Sequence, residues 1–393
     1  IRRQRQMCIR DSLKGVETLD KIEKIQRWLA ENDRSIAFIS NPKTIQYLSG
    51  FYSDPAERVL LTVVFQKSDP FLFGPALETE AIKASGWTHP VYGYLDHEKP
   101  WQIIGDQIRA RKTDETTFAI EKSDLSVAWL ELAQQQFPNA DFSSNLDPML
   151  DQMRMIKSDD EIEKLKIAGK WDDFAFKTCF EAVKAGIHES RVAAEMSYAL
   201  MKNGIMELSF PALIQSASHA AEPHGATSDK KIEDNALVLF DLGTVWQGYI
   251  SDATRTIAVG KPDAKSMDIY QVCLEAQLAA QDAAKPGMTA AELDKVARDI
   301  IDKAGYGQYF NHRLGHGMGM SEHEFPSIME GNDLVLQPGM CFSIEPGIYI
   351  PNVAGVRIED CIHITENGNE PFTHTTKAVS YTHLRAHETL ANL

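Results

Sequence analysis

Four acidic residues could do chemistry together because they form two pairs, each flanking a turn-rich segment. Asp241 and Asp252 flank the first segment, and Glu345 and Glu359 flank the second. Four carboxylates brought together in apolar surroundings carry four negative charges, which must be neutralised rather than simply buried. Two divalent cations would cancel this charge. The pattern therefore predicts a dinuclear metal site.

The residues around the first pair predict a β-hairpin. Residues 237–240 (LVLF) are a continuous apolar run, typical of a buried strand that ends at Asp241. We expect a turn at residues 246–247, with Gly248 adopting the unusual backbone angles. Asp241 and Asp252 would then lie opposite each other, with Cβ atoms about 4.5–5.5 Å apart. Either aspartate alone would be better explained as a polar strand end that faces solvent.

The second pair repeats the arrangement. The midpoint between Glu345 and Glu359 is Asn352, so a hairpin would bring the two glutamates opposite each other. Ile344 and Ile358 directly precede the glutamates and should point to the other face, because side chains alternate along a strand. Both carboxylates are therefore expected on one face.

A histidine lies between the two acidic pairs in the sequence. His316 is flanked by Gly315 and Gly317, which would let backbone and metal approach closely. A lone histidine is more often a hydrogen-bonded bystander, but five histidines lie here or in the loop before the first hairpin: His219, His224, His312, His316 and His323. The segment 315–319 (GHGMG) faintly resembles a dinucleotide fingerprint, which we reject because Met320 occupies the final glycine position.

Composition limits the class of protein. The chain has 393 residues, of which 43% are hydrophobic, so it is long enough for two domains. A net charge of −16 argues against nucleic-acid and anionic-membrane binding, and no stretch approaches the roughly 20 apolar residues of a membrane helix. The five cysteines show no CxxC spacing, which indicates reduced thiols in a cytoplasmic protein.

The pattern along the chain predicts two domains of different type. Residues 13–150 alternate short apolar runs with helical patterns, which predicts a smaller α/β domain. Residues 151–377 interleave helices with strand hairpins, which predicts an α+β domain, and a capping box at Ser158 and Glu161 opens its first helix. Residues 1–12 and 378–393 resemble translated sequencing-adapter sequence, so we expect both to be non-native; natural tails are the alternative.

Several motifs together resemble a known family. They are residues 240–243 (FDLG), 249–256 (YISDATRT), 312–319 (HRLGHGMG), 323–326 (HEFP), 344–349 (IEPGIY) and 355–360 (GVRIED). These motifs are similar to those of the metallopeptidases with the pita-bread fold, and residues 40–50 look like the family's N-terminal domain. The resemblance covers residues 13–377 and is closest to bacterial Xaa-Pro dipeptidases, or prolidases. It implies a pita-bread catalytic domain preceded by a creatinase-like domain.

The resemblance also implies residue roles. The implied metal ligands are Asp241, Asp252, His316, Glu345 and Glu359, with Asp252 and Glu359 bridging two ions. His224 and His323 match histidines that contact the substrate and the developing oxyanion, and Arg357 matches an arginine that orients substrate or ligands. His219 and His312 have no assigned role, and a structural one is expected for each.

The ligand types and the resemblance together predict the metal and the reaction. Four oxygen ligands and one imidazole form a hard site, which favours Mn²⁺, although Co²⁺ or Zn²⁺ could bind. A hydroxide bridging the two ions would attack the carbonyl of an Xaa-Pro dipeptide. Glu345 would pass the proton to the leaving proline nitrogen.

Two alternative functions and several partner expectations remain. A Xaa-Pro aminopeptidase would share all five ligands and act on longer peptides, and a non-catalytic scaffold on the same fold would be expected to lack ligands. Methionine aminopeptidases lack the N-terminal domain, and creatinase-like enzymes lack the ligand set. We expect small peptide substrates and a cytoplasmic protein, and the resemblance implies a homodimer in which one N-terminal domain narrows the partner's site.

Overall fold

The chain divides into two compact units between Gln152 and Met153. The computed structural model describes residues 20–379, together with the backbone of residues 381–382. The predicted non-native segment 1–12 and most of the predicted non-native segment 378–393 lie outside the described residues. Among the described helices, none has the length and apolar character needed to cross a bilayer.

The first unit contains one mixed six-stranded sheet. Its strands are Ile36–Ile39 (β1), Leu61–Phe65 (β2), Phe71–Pro75 (β3), Val91–Tyr94 (β4), Thr117–Ile120 (β5) and Asp141–Asn145 (β6). The spatial order is β4-β3-β2-β1-β5-β6, with β1 antiparallel to β2 and parallel to β5. Its helices are Lys21–Glu31 (α1), Pro42–Ser49 (α2), Thr79–Ala84 (α3), Pro100–Ala110 (α4) and Val127–Gln136 (α5), and Asp147–Met155 (α6) contains the division.

Aromatic side chains dominate the core of this sheet. Phe118 lies between Phe38 and Phe142, with ring-centroid distances of 5.0 and 4.5 Å. All three rings are buried. Such pairs add favourable energy beyond the buried area alone. The first unit therefore has its own hydrophobic core.

The second unit combines four long helices with a nine-stranded sheet. The helices are Asp159–Ala182 (α7), Glu189–Lys202 (α8), Ala264–Ala283 (α9) and Ala290–Lys303 (α10). The strands are Leu213–Ser216 (β7), Ala236–Leu242 (β8), Val245–Trp246 (β9), Tyr249–Ile250 (β10), Ala253–Val259 (β11), Gly315–Gly317 (β12), Glu324–Ile328 (β13), Cys341–Ile344 (β14), Gly347–Ile350 (β15), Ala354–Arg357 (β16), Glu359–Ile364 (β17), Asn369–Pro371 (β18) and Tyr381–Thr382 (β19).

The central strands of this sheet follow the order β13-β12-β14-β17-β11-β8-β7, with β18 beside β17 and β19 beside β11. The strand pairs β9–β10 and β15–β16 form two separate small ribbons. Two apolar clusters support the sheet, one centred on α9 and α10 and the other on α7 and α8. The predicted capping box of Ser158 and Glu161 is present and begins α7. This mixture of helices and largely antiparallel strands confirms the predicted α+β class.

Candidate metal centre

The first predicted hairpin exists, but its turn lies one residue later than expected. β9 and β10 pair Trp246 with Tyr249, which leaves Gln247 and Gly248 as the two turn residues. Their φ angles are +50° and +84°. Two consecutive positive φ angles are typical of a type I′ turn, whose twist matches that of the flanking strands. Gly248 therefore occupies the second turn position rather than following the turn.

This shift changes the register of the first acidic pair. β8 and β11 pair Asp241 with Thr254. The predicted direct opposition of Asp241 and Asp252 is wrong, because moving the turn by one residue moves the pairing by two. Asp252 lies two residues before Thr254, so strand alternation directs both side chains to the same face. The two aspartates are diagonal neighbours.

The register predicted for the second acidic pair is confirmed. β14 and β17 pair Ile344 with Asp360, and β15 and β16 pair Gly347 with Arg357. Both pairings place Glu345 opposite Glu359. Across the next strand, Glu359 pairs with Thr254 and accepts a hydrogen bond of 2.6 Å from its hydroxyl.

A histidine on the neighbouring strand completes the cluster. The Nε2 atom of His316 lies 3.3 Å from Glu345 Oε1 and 3.6 Å from Asp252 Oδ2. Ligand atoms of His316, Glu345 and Glu359 all lie within 4.8 Å of one another. Strands β8, β11, β12, β14 and β17 thus deliver the predicted ligands to one place.

All eight predicted site residues line a single cavity of about 390 Å³. They are Asp241, Asp252, His316, Glu345, Glu359, His224, His323 and Arg357. The side chains of Asp252 and Glu359 are almost fully buried, whereas those of Asp241 and Glu345 are 16% and 14% exposed. The geometric expectation that these groups converge is met, while their individual roles remain predictions.

Burial and mutual repulsion disfavour charge on these carboxylates. Burial raises the pKa of Asp252, and the negative charge of Glu359 raises it further. The pKa values of Glu345 and Glu359 are also raised, chiefly by burial. Burial lowers the pKa of His316 to about 4, which keeps the imidazole neutral at pH 7 and able to bind a metal.

One arginine partly balances the cluster from within. Arg357 donates from Nη2 to Asp241 Oδ2, from Nε to Thr254 Oγ1 at 3.1 Å and from Nη1 to the Tyr349 hydroxyl at 2.9 Å. The guanidinium group therefore fixes the orientation of Asp241. Arg357 itself is buried.

The donor set fits divalent cations. Asp241 Oδ1 and Glu359 Oε1 are buried and have no hydrogen-bond partner among the described residues. Buried polar atoms are rarely left unpaired in folded proteins. Carboxylate oxygens and a neutral imidazole are suitable ligands for Mn²⁺, Co²⁺ or Zn²⁺. These residues can therefore hold the metal ions that the resemblance implies.

Comparison with known proteins identifies the family. Residues 163–366 match metallopeptidase family M24, and residues 21–156 match the creatinase/prolidase N-terminal domain. The chain belongs to metallopeptidase family M24. It is 51% identical over 357 residues to a Xaa-Pro dipeptidase of Lactobacillus helveticus, a match that covers 91% of this chain and 97% of that protein.

Solved structures agree with this assignment. The prolidase of Pyrococcus horikoshii OT3 superimposes with a TM-score of 0.85 at 37% identity, covering 92% of this chain and 100% of that one. An X-Pro aminopeptidase of Thermotoga maritima superimposes with a TM-score of 0.80 at 29% identity, covering 89% and 98%. The predicted pita-bread fold with a preceding creatinase-like domain is confirmed, and the chain is a hydrolase.

The histidines of this M24 peptidase fall into different settings. His323 is exposed, and its ring centroid lies 4.2 Å from that of His316. His312 lines the same cavity, where its Nε2 lies 3.1 Å from the Tyr349 hydroxyl. His219 is absent from the lining of this cavity and instead contacts the buried Glu189.

Sequence reasoning missed three neighbours of the predicted ligands. Cys361, treated only as a reduced thiol, places its sulfur within 4.8 Å of ligand oxygens of Asp252 and Glu359. Strand alternation could have revealed it, because it lies two residues after Glu359. Tyr349 and Glu322 also line the cavity, and burial raises the pKa of each. Tyr349 follows the recognised motif residue Glu345 by four positions, whereas nothing in the sequence pattern marked Glu322.

Proposed function

We propose that this chain hydrolyses Xaa-Pro dipeptides with two divalent metal ions bound in the cavity. The observation that carries the proposal is the convergence of four carboxylates and one neutral imidazole on one site. The 51% identity to the Xaa-Pro dipeptidase of L. helveticus supports the same substrate class. The proposed ligands are Asp241, Asp252, His316, Glu345 and Glu359.

The oxygen-rich ligand set favours Mn²⁺ as the bound ion, with Co²⁺ or Zn²⁺ as alternatives. When bound, the ions supply Lewis acidity and generate the nucleophile from water near neutral pH. Asp252 and Glu359 are proposed to bridge them. Bridging is consistent with the deep burial and mutual proximity of these two side chains.

Glu345 is proposed to carry a proton to the proline nitrogen that leaves. Its carboxylate lines the same cavity as the other proposed metal ligands, where it would accept a proton from the attacking water and pass it on. Its Oε1 accepts a hydrogen bond of 3.0 Å from the hydroxyl of Ser343, which fixes its orientation.

The remaining polar groups are proposed to bind substrate. His224 and His323 line the open part of the cavity and would donate hydrogen bonds to the carbonyl oxygen as negative charge develops on it. One such donor typically contributes about 3–4 kcal/mol to the transition state. Arg357 would act mainly by orienting Asp241, since its guanidinium group already contacts that carboxylate.

The test compares substrates of two lengths. Purified protein loaded with Mn²⁺ is expected to cleave Xaa-Pro dipeptides faster than Xaa-Pro-Yaa tripeptides, and Asp252→Asn should lack both activities. Faster cleavage of the tripeptide would instead support aminopeptidase activity, for which the similar T. maritima protein is named. A metal-loaded protein that cleaves neither peptide would support the scaffold alternative.

Two broader expectations complete the proposal. A homodimer is proposed by resemblance, and sedimentation of the full chain is the measurement that tests it. A cytoplasmic location is proposed from cysteine usage: Cys179, Cys273, Cys341 and Cys361 are buried free thiols.

A further inference from the structure

One loop carries His224 to the cavity, and both of its ends meet at a single carboxylate. The loop begins at Ser216, the last residue of β7, and runs to Ser228. His224 lies within it and lines the cavity. Glu189, the first residue of α8, is fully buried beneath the two ends of the loop.

Five donor groups from this loop converge on Glu189. Its Oε1 accepts from the backbone N–H of Ser216 at 2.8 Å and from the Ser216 hydroxyl at 2.9 Å. Its Oε2 accepts from the Ser228 hydroxyl at 2.8 Å and from the Ser228 N–H at 3.4 Å. His219 Nδ1 lies 2.9 Å from Oε2. Glu189 thus contacts the start, the middle and the end of one loop.

A carboxylate matches this set of donors, two of which are backbone N–H groups that can only donate. A glutamate offers two acceptor oxygens and no donor, whereas a glutamine would direct its NH₂ group at N–H and O–H donors. The position at the start of α8 also favours negative charge, because the helix dipole is positive there. This contact gives His219 a structural role, in which its Nδ1 carries the proton that it donates to Glu189.

The inner side of the loop is equally closely packed. Gly225 directly follows His224, and a Cβ atom placed there would lie 2.1 Å from Nε2 of the buried Gln215. The backbone beside His224 therefore rests directly on the sheet. We therefore expect a shift of either loop end to displace His224, because Gly225 beside it packs against Gln215 of β7.

We propose that Glu189 is a positioning residue that holds His224 in its substrate-binding place. This inference rests on the proposed Xaa-Pro hydrolysis, in which His224 contacts the substrate. Glu189 does not line the cavity, so it acts through the loop rather than on the substrate or the metal ions.

A double-mutant cycle on the metal-loaded full chain tests this coupling. Glu189→Gln should lower kcat/KM for an Xaa-Pro dipeptide by about tenfold or more, because small misplacements of a binding group are costly. The loss should divide between kcat and KM as it does in His224→Ala. Adding Glu189→Gln to His224→Ala should cause almost no further loss, because coupled residues are non-additive.

Matched controls separate positioning from general damage. Glu195→Gln changes a partly exposed glutamate on the same helix and should leave kinetics unchanged. Metal content of Glu189→Gln should equal that of the wild type. If the losses in kcat/KM of the two single variants multiply in the double variant, the inference is overturned. Wild-type kinetics in Glu189→Gln would also overturn it.

A second variant covers the possibility that Glu189→Gln does not fold. Ser228→Ala removes one hydroxyl donor at one end of the loop and should show a smaller loss with the same coupling to His224→Ala. Additivity in that cycle would overturn the inference equally. If the wild-type chain does not cleave Xaa-Pro peptides, the proposed function fails, and this role fails with it. If the wild type is active and Glu189→Gln has the same kinetics, only this role fails.

Discussion

Two regions of the second unit bury carboxylates in opposite ways. Glu324, whose side chain is 6% exposed, lies 2.5 Å from Arg154 Nη2 and 3.1 Å from Lys157 Nζ. It also accepts from the backbone N–H groups of Met320 and Ser321. Burial alone would raise its pKa, but the two cations outweigh burial and lower the pKa to about 2.

The metal centre shows the reverse balance. Five carboxylates line its cavity, including that of Glu322, and two guanidinium groups in the same lining, those of Arg313 and Arg357, carry positive charge. The pKa values of Asp252, Glu345 and Glu359 are raised. Both sites are buried, so the local supply of positive charge, rather than burial, sets the direction of the pKa shift. At Glu324 the chain provides that charge itself, whereas the centre requires cations from outside.

The largest expected effect comes from a ligand at the centre. Glu359→Gln should lower kcat/KM for Xaa-Pro dipeptides on the order of a thousandfold, because it removes a carboxylate proposed to bridge both ions. Bound Mn²⁺ should fall in parallel when measured by elemental analysis. Glu366→Gln, at an exposed glutamate, is the matched control. Full metal content with full activity in Glu359→Gln would show that the centre is wrongly assigned.

The compensated cluster should respond in stability rather than in metal content. Glu324→Gln leaves the buried Lys157 and the partly buried Arg154 without their carboxylate partner, and breaking a buried ion pair typically costs about 3–5 kcal/mol. Urea unfolding of the metal-free protein measures this loss. Glu359→Gln should have the opposite sign in the same assay, because it relieves repulsion among uncompensated carboxylates. If both variants changed stability in the same direction, the two sites would not differ in how their charge is compensated.

The sequence predicted the register of the second acidic pair correctly and that of the first pair wrongly. Strand periodicity and symmetric spacing were enough to place Glu345 opposite Glu359. The same reasoning failed for Asp241 and Asp252, because the register depends on the positive φ of Gln247, which residue type does not indicate. The two aspartates nonetheless lie on the same face of the sheet as expected, since a two-residue error in register does not change the face to which a side chain points.

The Glu324 cluster and the Glu189 contact could not be predicted from sequence patterns. Arg154 is 170 positions from Glu324, and Ser228 is 39 positions from Glu189. Periodicity describes neighbours within one element, whereas these contacts depend on how separate elements pack. Hydrogen bonds of this kind are visible only when the backbone path is known.

Metal binding should stabilise the centre by an intermediate amount. Free Mn²⁺ at a hundred times its Kd should add about 2.7 kcal/mol per site to the folding stability, because it binds only the folded state. Thermal unfolding with Mn²⁺ and with a chelator measures the difference. Glu324→Gln should retain this metal-dependent gain, whereas Glu359→Gln should lose most of it. A gain that persists in Glu359→Gln would place the ions elsewhere.

The smallest effect concerns a third buried carboxylate, Glu121 of the first unit. It accepts from the backbone N–H groups of Ser40 and Asn41 at 2.7 and 2.8 Å, neither of which carries a charge. Burial raises its pKa from 4.5 to about 7. A raised pKa means that its contribution is fully present below the unfolded value of 4.5 and is lost as the pH rises through about 7.

Glu121 and Glu324 should therefore differ in the pH dependence of stability. Between about pH 5.5 and pH 7.5 the wild type should lose about 2 kcal/mol relative to Glu121→Gln, because only the wild type gives up the bound proton. The contribution of Glu324 should be constant over this interval, since its lowered pKa makes it titrate only as the pH falls toward about 2. Urea unfolding at several pH values, compared between each variant and the wild type, measures both slopes. A flat difference for Glu121→Gln would mean that its hydrogen bonds compensate for burial as fully as the two cations do at Glu324.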